Sequence, residues 1–181
     1  MSLASHARLI SAVFFKDSPA GSLALAVSEK GLARLFFCSR EEFIDFLSAS
    51  HLTDTSRSND LIEIAFSQVS EYFEGRRKVF DLPLDLSGQT PFRTSVLKAC
   101  AQIPFGEIIT YGELAARSGS PKAARAAGGV MAHNPIALVI PCHRVVGSDR
   151  GLHGFSSPGG LATKAVLLRH EGVMIENERV L

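Results

Sequence analysis

The chain has 181 residues, 46% hydrophobic and 20% charged, with a formal net charge of +1. That balance fits a globular protein of one or two small domains and excludes a disordered polyelectrolyte, and no apolar run approaches the ~18 residues that a membrane span requires. Cys38, Cys100 and Cys142 form no closely spaced framework, and Met1 to Ala7 lacks a basic segment followed by an apolar stretch; neither a disulfide scaffold nor a structural zinc site is expected, and the compartment expected is the cytoplasm.

Arg8 to Phe15, Ser22 to Ser28 and Leu32 to Phe37 read as an antiparallel meander, the last two joined by a Glu29-Lys30-Gly31 turn. Ser39, with Glu42 three residues on, opens a helix by reciprocal capping and places Phe43, Phe46 and Leu47 on one face. The polar stretch Ser48 to Asp60 reads as a loop. Over Leu61 to Glu74, Ile62, Ala65, Phe66, Val69, Tyr72 and Phe73 recur at helical spacing, closed by Gly75. Phe80, Leu82 and Leu84 alternate like an edge strand, since Pro83 withholds a ladder donor. This half holds no reactive cluster, so its expected role is structural.

Charge changes sign along the chain: residues 1–87 carry −3 and residues 88–181 carry +4, with nine basic against three acidic side chains over 88–170. Such an excess suits a polyanion-binding surface and equally a solvated basic face. Asp85 to Gln89 is the predicted linker, dividing the chain into domains 1–87 and 88–181, and Thr90-Pro91 supplies an N-cap and a first-turn proline. The helix that follows runs to about Gln102, with Phe92, Val96, Leu97 and Cys100 on a common inner face. Thr110 and Glu113 form a second capping box for a helix through Arg117, Ser118-Gly119-Ser120 breaks it, and Pro121 starts another to about Ala132. Two helices around a glycine-containing turn match a helix-turn-helix. Ala123, Ala124, Ala126, Ala127, Gly128 and Gly129 let the second helix lie close to DNA or to another helix. Arg125, the only charge in its middle, reads as a phosphate or duplex contact or as a solvent-facing ion pair. Asn134-Pro135 ends that helix, and Ile136 to Ile140 reads as a short strand delivering Pro141-Cys142-His143 at its end.

The heptad Ile140 to Val146 concentrates the reactive chemistry of the chain. A thiol attacks as thiolate, and a free cysteine of pKa ~8.5 needs a base or a positive charge nearby; His143 and Arg144 can supply both. From the Cys-His pair alone, a cysteine hydrolase that acylates and turns over with water remains open.

Pro104-Phe105-Gly106-Glu107, Thr110-Tyr111, Pro121-Lys122-Ala123-Ala124-Arg125-Ala126, Asn134-Pro135, Ile140-Pro141-Cys142-His143-Arg144-Val145-Val146, Gly159-Gly160-Leu161 and Leu167-Leu168-Arg169-His170-Glu171-Gly172 together resemble the O6-alkylguanine-DNA alkyltransferases, or methylated-DNA-protein-cysteine methyltransferases. The resemblance spans most of the second half. It implies an α+β fold, a ribonuclease-H-like α/β domain followed by a winged-helix-like helix-turn-helix domain, and suicidal repair of double-stranded DNA containing O6-alkylguanine and O4-methylthymine by a monomer without cofactor or metal. By the same resemblance Cys142 takes the alkyl group, His143 is its base through a water, and Glu171 holds the imidazole. Tyr111 crowds the flipped nucleotide and donates toward guanine N3, Arg125 fills the vacated stack, and Asn134 ties the helix-turn-helix to the cysteine turn. Ala124, Ala126 and Gly128 present the close-lying face to DNA. Carbonyls of Cys142 and Val145 receive the guanine amine beside Pro141, and Ser156 or Ser157 in the loop Gly154 to Gly160 offers a donor to O6. Phe155 stands where many members carry tyrosine, Ser156-Ser157-Pro158 lengthens the loop, and Ala132-His133 replaces a more basic or smaller pair. A lesion-sensing relative without a nucleophile is the second alternative, against which Cys142 argues.

Overall fold

The computed structural model describes residues 9–15, 18–50, 52 and 60–181, and the chain forms two compact units, 1–89 and 90–181. In the first, β1 (Leu9–Phe15), β2 (Leu23–Ser28) and β3 (Gly31–Phe37) form an antiparallel sheet in chain order. Every residue of the central strand β2 is buried, because α1 (Arg40–Ala49) packs against β1 and α2 (Asp60–Phe73) against β2 and β3. Covering both faces explains why Leu23 to Val27 is an unbroken apolar run rather than an alternating one. Ala12, Ala24, Ala26, Cys38 and Phe43 form one side of this core, and Ile62, Ala65, Val69 and Tyr72 bury the inner stripe of α2. Ser39 caps α1 in the reciprocal arrangement with Glu42. The expected loop 48–60 falls mostly outside the described residues, but Ser48 and Ala49 belong to α1 and Asp60 opens α2.

Phe80 to Leu84 is not a strand. Only Leu84 bridges the sheet, in parallel to Leu32, with Leu32 N donating to Pro83 O at 2.8 Å and Asp85 N to Leu32 O at 2.9 Å. Upstream, the Gln68 side chain takes both backbone groups of Asp81, donating to its carbonyl and accepting from its amide at 2.8 Å each, so no neighbouring strand is needed.

In the second unit, α3 (Pro91–Ala101), α4 (Tyr111–Arg117) and α5 (Ala124–Ala132) pack on one another. Thr110 caps α4 with Glu113 as the reciprocal partner, and Gly119, at φ +82°, turns the chain between α4 and α5. The second helix begins three residues later than the proline predicts: Ala123 N bonds to Ser120 O at 2.9 Å, placing Pro121 and Lys122 in a turn. A proline's fixed φ suits that turn position as well as a first helical turn. Arg125 therefore lies in the first turn of α5, not in its middle.

The apolar run 136–140 is likewise no strand. Leu138 adopts φ +65°, Val139 N bonds to Ala137 O and Ile140 N to Ile136 O, a compact buried turn. It leads into a 3-10 turn at Cys142–Arg144 and then β5 (Val145–Val146), which pairs in parallel with β4 (Ile109–Thr110). α6 (Gly160–His170) and a closing hairpin of β6 (Ile175–Glu176) and β7 (Arg179–Val180) complete the unit around Val146, Leu152, Ala165, Leu168 and Val180. Among the described residues no helix is long and apolar enough to cross a membrane.

Gly31 sits at φ +150°, and a Cβ there would stand 2.3 Å from Pro83 O, an acceptor in the Leu32–Leu84 bridge that helps fasten 83–85 to the sheet. Gly31→Ala is expected to destabilise the protein by about 2 kcal/mol or more, beyond the ~0.4–1 kcal/mol that reduced chain entropy returns, read as a lowered urea midpoint with an unchanged m-value.

Candidate active site

The β4–β5 pairing, Ile109 opposite Val145 and Thr110 opposite Val146, joins the residue that caps α4 to the strand that leaves the 3-10 turn. Tyr111 and Cys142 consequently line one cavity of about 1120 Å³, together with Ala124, Arg125, Gly128, Ala132, Asp149, Phe155 and Ser156 among others. Gly128 makes room for the tyrosine: a Cβ there would lie 3.7 Å from the Tyr111 ring. Part of the small-residue face of α5 thus packs on a side chain of its own domain. Arg125, Ala126 and Gly129 remain exposed on the other part. Ala126, Pro141, Val145 and Ser157 do not line the cavity.

Asn134 folds back beneath this wall. Its amide donates to Ile140 O at 2.7 Å and accepts from Ile136 N at 3.1 Å, bracing the turn that precedes Cys142. Burial pushes the Cys142 thiol above its ordinary pKa, against which the Asn134 amide and the Lys164 ammonium favour the thiolate. The resting group at neutral pH is the thiol.

His143 is completely buried, and its Nε2 lies 2.8 Å from Glu171 Oε1, where it donates to the carboxylate. Its Nδ1 is buried with no hydrogen-bond partner. Desolvation, with help from Arg144 and Lys164, lowers the imidazole pKa although Glu171 acts the other way, so the ring is neutral and Nδ1 is free to accept a proton. Glu171 also receives Arg144 Nε at 2.8 Å, Arg144 Nη2 at 2.9 Å and the Gly106 amide at 3.1 Å. Hydrogen bonds from His143 and Arg144 hold its carboxyl well below the usual carboxylate range, overcoming a burial cost that acts upward.

Arg144 accordingly does not serve the thiol as its sequence position suggests. Its guanidinium is spent on Glu171 and on Ile103 O at 2.6 Å. The positive charge that favours the Cys142 thiolate belongs to Lys164, fully buried on α6 and hydrogen-bonded to Val145 O at 2.6 Å and to Leu152 O. Two of the nine basic residues counted toward a DNA-facing surface are therefore internal. Lys164 was legible only as a charge in step with the apolar positions Leu161 and Leu168. In the loop over the cavity, Ser156 Oγ donates to Ala132 O at 2.8 Å, whereas Ser157 Oγ is buried without a partner.

The sequence profile of the 6-O-methylguanine DNA methyltransferase DNA-binding domain matches residues 91–173, and that of the ribonuclease-like domain of the same proteins matches residues 12–86. The chain belongs to the 6-O-methylguanine DNA methyltransferase family. Within the family, the constitutive methylated-DNA–protein-cysteine methyltransferase of Bacillus subtilis is 39% identical over 157 residues, 87% of this chain and 93% of that protein. The corresponding protein of Methanosarcina barkeri is 42% identical over 155 residues, 86% and 93% of the two chains. The crystal structure of Mycobacterium tuberculosis O6-methylguanine methyltransferase superposes with a TM-score of 0.74 at 37% identity, covering 89% of this chain and 92% of that one. That of the M. tuberculosis protein in complex with DNA gives 0.71 at 36% identity, covering 90% and 92%. The fold is the α+β arrangement of the family, a ribonuclease-like domain followed by a helix-turn-helix domain.

Removing the negative charge at Glu171 leaves Arg144 buried and unpaired, a change that typically costs about 3–5 kcal/mol. Because the folded carboxyl pKa is depressed, this stability is fully present above the unfolded value of ~4.3 and is lost as pH falls toward the folded one. Glu171→Gln should therefore lower unfolding free energy strongly at pH 7, and the gap to the parent should narrow below about pH 4, followed by urea titration at each pH.

Proposed function

We propose that the protein repairs duplex DNA by moving an alkyl group, methyl first, from O6 of guanine to Sγ of Cys142 in one irreversible step, with O4-methylthymine as a second substrate. It acts as a monomer in the cytoplasm, residues 88–181 carrying the chemistry and residues 1–87 supporting them. The observation that carries this reading is a buried Cys142–His143–Glu171 array at the wall of a cavity whose facing side is a helix-turn-helix.

A lesion stacked in a duplex cannot reach a sulfur inside that cavity, so the nucleotide must turn out of the helix, at a cost of a few kcal/mol. Arg125, exposed at the cavity edge, fills the space left in the stack, and Ala124, Ala126 and Gly128 allow the backbone of α5 to approach the DNA closely. The Cys142 proton passes through a bridging water to His143 Nδ1, while Nε2–H stays on Glu171. Sulfur attacks the alkyl carbon in line, the S–C bond forms and the C–O6 bond breaks, and the electron pair leaves on the guanine. Tyr111 donates a proton toward N3 of that leaving anion; burial raises the pKa of its hydroxyl, which keeps it a donor. Asn134 positions the cysteine turn. The guanine amine meets the carbonyls of Cys142 and Val145 beside Pro141, each of which already accepts one internal donor and keeps a second lone pair. Ser156 or Ser157 offers the donor to O6: Ser156 lines the cavity with its hydroxyl on Ala132 O, and Ser157, off the lining, has a hydroxyl without a protein partner. The thioether product has no hydrolytic exit, so each molecule acts once.

Incubation with a duplex containing one O6-methylguanine should place one methyl group on the Cys142 peptide, saturating at one per protein while guanine is restored, as read by peptide mass. Binding of that duplex without modification of Cys142 would replace this reading with a non-reactive lesion sensor, and repeated turnover of an ester would replace it with a hydrolase. Cys142→Ala should abolish transfer and retain DNA binding. For Arg125→Ala, the transfer rate from duplex should fall by on the order of ten- to a hundredfold, the scale of a few kcal/mol of unstacking, with little change on the free modified base. Equal losses on both substrates would exclude the role in flipping.

A further inference from the structure

Lys164 is the one charged residue on the inward side of α6, in register with Leu161, Ala165 and Leu168, and none of its surface reaches solvent. A buried ammonium is strongly unfavourable unless compensated, yet its hydrogen bonds go to two neutral carbonyls, Val145 O and Leu152 O. Those carbonyls stand at the two ends of a loop. Val145 directly follows the 3-10 turn that carries Cys142, Leu152 precedes the loop over the cavity, and Gly147, Ser148 and Asp149 between them line the cavity. A lysine used only as a staple could be replaced at this depth by any neutral donor.

The ionisable neighbours assign its charge. Arg144 and Glu171 neutralise one another on the far side of His143, leaving that pair with no excess to give. On α3, Cys100 is buried with its thiol pushed well up by desolvation; Tyr111 on α4 is likewise raised; His143 is neutral. Cys142 is the group in this set that has to become an anion, and its thiolate and the Lys164 ammonium favour each other.

We infer that Lys164 is a positioning residue of the transfer site: its ammonium closes the loop between Val145 and Leu152 and supplies the buried positive potential in which the Cys142 sulfur becomes negative as its proton leaves. The inference rests on Cys142 being the nucleophile. Desolvation brings Lys164 down to about 8, while burial holds the Cys142 thiol above its ordinary value. Above that value the ammonium is lost and with it the support for the thiolate.

The test reads the thiol directly, without DNA. Alkylation of the Cys142 peptide by iodoacetamide is followed by mass from pH 6 to 10 in the parent, Lys164→Gln, which keeps a hydrogen-bond donor without the charge, and Lys164→Met, which keeps neither. Both variants should react about tenfold more slowly at pH 7, with the Cys142 profile displaced upward by about one pH unit. Lys164→Gln should hold lesion duplex within about twofold of the parent. Unchanged Cys142 profiles in both variants would overturn the inference. Should either variant fail to fold, the parent supplies the reciprocal measurement: the Lys164 ammonium, followed by nitrogen NMR, should titrate lower in Cys142→Ala than in the parent, and an unmoved titration would equally overturn it. Methyl transfer from O6-methylguanine duplex is run in parallel on the parent. Failure there counts against the repair reading, while the iodoacetamide and NMR results still decide the role of Lys164.

Discussion

The Glu171 carboxylate gathers the site. It is buried, and it is tolerable there because donors converge on it from separate parts of the chain: the amide of Gly106, the imidazole of His143 and two nitrogens of Arg144. The third arm of Arg144 reaches Ile103 O, so the segment before β4, the 3-10 turn and the end of α6 are fastened at one point. With His143 neutral, the Arg144–Glu171 pair carries no net charge, and the imidazole is held by the pair without being forced to protonate. Nε2 is thereby occupied by Glu171, and Nδ1 is the ring nitrogen left without a partner.

From that anchor the remaining groups fall into place through short-range links. β4 and β5 pair over only two residues each, but the pairing carries α4 and Tyr111 to the sulfur. Asn134 spans the buried turn 136–140, and the missing side chain at Gly128 lets α5 close on the Tyr111 ring. None of these links is large in area. Each is directional, and together they leave Cys142 little freedom.

Much of this was legible where the cause is local. The capping pairs Ser39/Glu42 and Thr110/Glu113 lie three residues apart and form as read, and the inner stripe of α2 follows helical spacing. Residues 136–140 misled because they are apolar through burial in a turn, and a run of five such residues carries no period to separate a turn from a strand. Pro121 misled because its φ suits two backbones. Phe80 to Leu84 lacked a ladder because a distant side chain, Gln68, had already met Asp81. Arg144 and Lys164 escaped for a different reason: a sequence counts charges without saying which side of the surface they are on, and the partners that keep these two inside are backbone carbonyls and a carboxylate 27 residues away.

If Cys142 is the nucleophile, as proposed, and is spent once, its burial also protects it. A sulfur held as the thiol and largely closed to solvent is a poor target for peroxide and for stray electrophiles, both of which select exposed thiolates. Each such accident would consume a whole molecule without mending a base. On the proposed reading, keeping the proton on until a lesion sits beside it preserves the reactive equivalent for its intended carbon, so the shelf life of the unused protein and the selectivity of its chemistry would rest on the same desolvation.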